Sequence, residues 1–207
     1  MFQAISKGLG LGIAIALTIG PAFFTLIQTS LKNGFRAGMF FSLGILFSDL
    51  LCVVLCYLGA SQLLNNEANF RYMGIIGGMI IVVFGLISLF KKNKKKDAKG
   101  VTIETYSPPF LFTKGFLINI LNPFVWLWWI VAMATFSAHF GFQKAQLFVF
   151  FATALLTVIS TDLFKAFLAN KIKSHLTVER MSLINSISSF ILVGFGLYLI
   201  FRVTILQ

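Results

Sequence analysis

LGLGIAIALTIGPAFFTLIQTSL, residues 9–31, holds no charged side chain and carries a proline near its middle. Uncharged runs of about 20 residues are what a hydrocarbon core roughly 30 Å thick requires of a helix, which must satisfy its backbone N–H and C=O groups internally. Five more such runs follow: Met39 to Leu64, Met73 to Phe90, Phe116 to Phe136, Leu147 to Leu168 and Leu183 to Phe201. Their formal charges are Asp49 in the second run and Asp162 and Lys165 in the fifth. Over the whole chain 11% of residues are charged, against about 25% in an ordinary soluble domain. The pattern predicts an all-α membrane protein of about six transmembrane helices, a single domain over residues 1–207.

The first run is read as a span rather than a cleaved leader, because no small-residue cleavage site follows it and the chain continues into Lys32 and Arg36. The longest polar stretch, Lys91 to Pro109, is too short to bury a core of its own. No nucleophile, base and orienting residue stand at a recognisable spacing, which argues against an enzyme.

The net charge of +11 has a cheaper explanation than nucleic acid. Lys and Arg collect in cytoplasmic loops. With six spans, Lys7, Arg71, Lys144 and Arg202 fall on one side and the rest of the 17 Lys and Arg residues on the other. That split places both termini outside and makes the basic loop 91–109 a cytoplasmic topology anchor that also meets anionic membrane lipids. No base-reading or aromatic motif accompanies its lysines, so nucleic acid is not among the expected partners.

The two halves, residues 1–90 and 110–207, echo one another. The first span is interrupted at Gly20-Pro21 and the fourth at Asn122-Pro123, and an aromatic-rich stretch follows each. A Gly-Phe pair comes next, Gly34-Phe35 and Gly141-Phe142, and then an acid in an apolar setting, Asp49-Leu50 and Asp162-Leu163. Three spans per half is an odd number, so the second copy crosses the membrane in the opposite sense. The fold expected is two inverted three-helix repeats with broken helices 1 and 4, and a binding site between the halves.

Proline donates no N–H and clashes with the carbonyl four residues back, here Leu17 and Asn119. Each helix should therefore break or kink. Asn122 followed by Pro123 suits a new helix start, and Gly20-Pro21 does so less strongly. A half-helix starting inside the membrane aims free N–H groups and about half a positive charge at whatever lies before it, a fit for a carboxylate.

An Asp at mid-membrane costs about 2.5–3.5 kcal/mol on insertion scales, so it faces a cavity or a partner. Asp49 is the leading proton-coupling candidate. Its nearest cation along the chain, Arg36, is about 20 Å of helix away, and desolvation penalises the charged form of such an acid. Asp49 also belongs to a small or polar stripe with Gly38, Ser42, Cys52 and Cys56, which suits a cavity or a tight helix contact. Asp162 has Lys165 one turn on, so an ion pair between them and a coupling role both stay open, as does snorkelling of Lys165 to the interface.

The substrate-binding candidates are Gly20, Pro21, Thr25 and Gln28 at the first break and Asn119, Asn122 and Pro123 at the second, with Asn185 as a further polar residue. Gly74, Gly78 and Gly85 predict close helix packing, with a homo-oligomer face as the alternative use. Cys52 and Cys56 read as buried packing residues, because a membrane thiol-redox protein would usually show a two-residue spacing and a second pair. Metal ligands are scarce, His139 and His175 being the two histidines, and no cofactor is expected.

Gly20-Pro21-Ala22-Phe23-Phe24-Thr25 running to Gly34-Phe35-Arg36-Ala37-Gly38, then Gly44 and Ser48-Asp49, resembles the LysE/RhtB family of amino-acid exporters. Asn119-Ile120-Leu121-Asn122-Pro123, Thr161-Asp162-Leu163-Phe164-Lys165 and Ala169-Asn170-Lys171 extend the likeness through the second half. The resemblance implies a six-helix exporter of the bacterial inner membrane, driven by the proton gradient and moving amino acids or related metabolites out of the cytoplasm. A metal or cation exporter, and a thiol-redox protein using Cys52 and Cys56, are the alternatives. The first motif departs from the commoner family form, which has an Asn or Asp soon after the proline where this chain has Ala22 and Phe23.

Overall fold

Ala4, Gly8, Gly12 and Ala16 recur every fourth residue and are the buried residues of the first helix, α1 (Phe2–Ala16), while Ile5, Leu9 and Ile13 on other faces stay exposed. Such a stripe lets two backbones approach closely, the packing mode available where lipid offers no hydrophobic drive. The computed structural model describes residues 1–58, 67–90, 106–140, 144–173 and 178–205, and among these all regular structure is helical. After α1 come α2 (Pro21–Asn33), α3 (Phe35–Tyr57), α4 (Glu67–Phe90), α5 (Pro108–Ile120), α6 (Pro123–Phe140), α7 (Lys144–Lys173) and α8 (Val178–Ile205).

The small stripe of α1 lies on α7. A Cβ added at Gly12 would stand 2.5 Å from Thr157 Cβ and 2.8 Å from the Ala154 carbonyl oxygen. In the other half, α5 lies on α3 in the same way, with Gly44 against the backbone of Phe112 and Gly115 against the backbone of Phe41. The third close pair is α4 with α8, where Gly78 meets the Gly196 carbonyl and Gly85 meets Val193. The expected packing use of Gly78 and Gly85 is met inside the chain; Gly74, Asn185, His139, His175 and the ring of Pro123 lie outside the side chains described.

Among the described residues two helices, α3 and α7, are long and apolar enough to cross a membrane, and up to four spans result if each bent pair, α1 with α2 and α5 with α6, counts as one. Taken alone, α1 and α2 measure about 22 and 20 Å. Leu50, Val54, Val83, Leu156, Phe164 and Leu197 are exposed apolar residues on several helices, more than a soluble monomer leaves uncovered. The protein is a multi-pass membrane protein.

Helix limits differ from the sequence reading at the ends. The first helix starts at Phe2 rather than Leu9, and α5 at Pro108 rather than Phe116, because moderately polar flanking turns extend a helix that the apolar run alone does not delimit. Gly34 of the first Gly-Phe pair turns the chain between α2 and α3, with φ at 88°. The second Gly-Phe pair, Gly141-Phe142, and the basic stretch over 91–105 lie outside the described residues.

Candidate functional site

The two broken spans place their breaks at one cavity. Between α1 and α2 the chain turns by 73°, and between α5 and α6 by 65°. Helix α1 ends at Ala16, just before Leu17, whose carbonyl a continuous helix would drive into the ring of Pro21. Helix α2 restarts after Gly20 in extended conformation and with no side-chain cap. At the second break, Asn122 caps α6: its Oδ1 accepts the Phe124 N–H at 3.1 Å.

A cavity of about 80 Å³ opens where these breaks meet, and Gly20, Pro21, Asn119 and Asn122 line it. Asp49, Asp162 and Lys165 line it too. Thr25 and Gln28 are buried but are not on its wall. Thr25 turns its hydroxyl back to the Pro21 carbonyl at 2.7 Å, the bond a helical threonine makes to its own preceding turn.

Asp49 is 3% exposed. Its Oδ1 accepts two hydrogen bonds, from Asn119 Nδ2 at 2.8 Å and Trp129 Nε1 at 3.0 Å. Asn119 also donates to the Ser48 hydroxyl at 2.8 Å. Both bonds fall on one carboxyl oxygen, and neither donor is charged. Of the small stripe on α3, Gly38 packs on Ser30 and Ala166, and Cys52 and Cys56 are free thiols in an apolar cluster with Trp129 and Phe151, so those positions serve helix contact rather than the cavity.

Asp162 and Lys165 form the predicted ion pair, with Nζ to Oδ1 at 2.9 Å. Lys165 does not snorkel: it reaches across to α1 and donates to the Ala16 carbonyl at 2.8 Å. This carbonyl belongs to the last residue of α1, where no continuing turn supplies an N–H. Its counterpart at the end of α5, the Ile120 carbonyl, accepts Trp126 Nε1 at 2.7 Å. One half therefore closes its broken end with a charged donor and the other with a neutral one.

The family of LysE type translocators matches the chain over residues 13–202. The chain belongs to that family. It is a transporter family and not an enzyme family. Among relatives of this translocator, a protein of Bacillus subtilis (strain 168) named "Putative amino acid efflux protein YcgF" is 23% identical over 192 residues, covering 91% of this chain and 90% of its own. The "Uncharacterized membrane protein slr1627" of Synechocystis sp. (strain ATCC 27184 / PCC 6803 / Kazusa) is 21% identical over 92% of each chain. The "Uncharacterized membrane protein YrhP" of Bacillus subtilis (strain 168) is 25% identical over 89% of this translocator and 93% of its own length. No solved structure matches.

Sequence reasoning missed Trp129 and Trp126 as site residues of the translocator. A signal existed: the chain has three tryptophans, all in the stretch after Pro123, and a buried indole N–H needs an acceptor. It also missed Thr18 and Trp128 on the cavity wall.

Proposed function

We propose that this translocator exports small amino acids or related metabolites from the cytoplasm in exchange for protons, with Asp49 carrying the proton. The observation that carries the reading is that carboxyl, which lines a cavity at two helix breaks while its two donors occupy a single oxygen. Oδ2 is then the atom that takes a proton or the ammonium group of the cargo. One carboxyl that holds either, but not both, couples the two flows: a proton must leave before the cargo docks, and cargo must leave before a proton returns. Asp162, tied to Lys165, has the secondary coupling role.

The uncapped N–H groups at the start of α2 and the amide N–H groups of Asn122 suit the other end of the cargo, while Asn119, whose Nδ2 is shared between Ser48 and Asp49, holds the acid in place. A volume of about 80 Å³ corresponds to roughly five to eight waters at about 10–15 Å³ each, the heavy-atom count of a small α-amino acid. The amino acid efflux named for YcgF supports the same cargo class.

The fold we propose for this translocator is six spans as two inverted three-helix repeats. Its support is an exchanged pattern of packing, α1 on α7 and α5 on α3, in which the leading helix of each half lies on the third element of the other. The setting proposed is a bacterial inner membrane, and the charge balance of the loops supports both termini outside. The test is uptake into inside-out vesicles, where export becomes accumulation. An acidic lumen should drive uptake of alanine, serine or threonine and lose protons as it does so. Vesicles that take up none of them above a control without the protein would refute the reading.

A further inference from the structure

Lys165 is the cation on the cavity wall, and its geometry holds it there. A lysine in a membrane helix ordinarily extends toward the nearest interface. Here the ammonium is turned inward by two acceptors on different helices, Asp162 Oδ1 on α7 at 2.9 Å and the Ala16 carbonyl at the end of α1 at 2.8 Å. Nζ also stands 5.6 Å from the ring centroid of Phe23, in the first turn of α2. The charged group thus bridges the break between α1 and α2 and sits beside the start of the second half-helix.

An ammonium has three N–H donors. Two are engaged, and among the described residues the third has no acceptor. The α2 start nearby has glycine at its N-cap and no side-chain cap, so no capping side chain takes the place an anion would occupy there. Asp49, the opposing pole, has neutral donors only. The cavity therefore has a positive pole at Lys165 and the head of α2, and an acid at Asp49 with an oxygen left over. An α-amino acid carries the complementary pair of groups on one carbon.

We propose that the Lys165 ammonium receives the carboxylate of the cargo, which makes a free carboxylate a condition of transport. This rests on the amino-acid export reading and adds to it the residue that recognises the acid end. Asp162 and the Ala16 carbonyl then act as positioning groups, fixing Nζ at the wall so that its third N–H faces inward. Asp162 also neutralises the Lys165 charge, so that the ammonium is stable in the interval between cargoes.

The experiment compares uptake of alanine, serine and threonine with uptake of their carboxamides, which keep the ammonium and the size but lose the negative charge. The full chain is used in inside-out vesicles. Wild type should prefer each acid over its amide by roughly ten- to hundredfold, the value of a hydrogen bond to a charged group. Lys165→Met should lower acid uptake by a similar factor and abolish the preference, and Lys165→Arg, which restores a cation, should keep it. Lys165→Met with the wild-type preference would overturn the proposal and leave the export reading standing. Where Lys165→Met fails to assemble, wild type decides alone, since equal uptake of acids and amides also overturns it. Uptake of none of the acids by wild type would remove the export reading and this proposal together.

Discussion

Replacing Asn119 by Ala removes two buried hydrogen bonds at once, those to Ser48 and Asp49, both at 2.8 Å. In a soluble core the bond to a hydroxyl is worth about 1 kcal/mol and one to a charged group about 1.5–3 kcal/mol, which would total roughly 2.5–4 kcal/mol. The membrane lowers that figure, because helices separated within a bilayer find other polar partners; measured pair couplings there average about 0.6 kcal/mol and reach about 1.7. The expected loss is therefore about 1–2 kcal/mol. The Asp49 share is isolated by a double-mutant cycle of Asn119→Ala with Asp49→Ala, read by circular dichroism as sodium dodecyl sulfate is titrated into mixed micelles. A coupling of about 0.5–1.5 kcal/mol is expected. One below about 0.3 kcal/mol, the level at which independent sites already add, would mean that the Asn119–Asp49 bond does not tie the broken end of α5 to α3.

Three further outcomes follow from the same packing. Gly12→Leu should lower stability by about 1–3 kcal/mol, because its side chain would grow into Thr157 and Ala154; Gly10→Leu, whose Cβ would meet nothing within 4 Å, should be harmless in the same titration. Gly34→Ala should cost about 1–3 kcal/mol, since φ at 88° with ψ at 175° is a backbone region that essentially only glycine adopts. Vesicle uptake by the Cys52→Ala, Cys56→Ala double variant should be retained; its loss, with the protein still folded, would return the thiol-redox alternative to contention.

The breaks were legible because proline has a single mechanism. A ring at Pro21 or Pro123 cannot tolerate a helical carbonyl four residues back, whatever the tertiary context, and both helices stop before it. Asp49 was legible through cost, as an acid in an apolar run has to meet a cavity or donors. The Asp162–Lys165 pair followed from helical spacing. What the sequence did not carry was anything set by contact between distant segments. Neither the reach of Lys165 to Ala16 nor the bond from Trp129 to Asp49 has a local signature, because each depends on α7 lying on α1 and α6 on α3. The place of Thr25 off the cavity wall has a local cause: a threonine in a helix has a partner within its own turn, here the Pro21 carbonyl.

The most direct measurement is uptake by Asp49→Asn in inside-out vesicles, with and without a pH difference and over a range of luminal pH. The amide preserves shape and accepts the same hydrogen bonds, but it exchanges no proton. The account predicts that the variant loses accumulation driven by the pH difference and becomes insensitive to luminal pH, while downhill exchange of cargo, if any survives, no longer moves protons. Proton-driven accumulation with the wild-type pH dependence would contradict it.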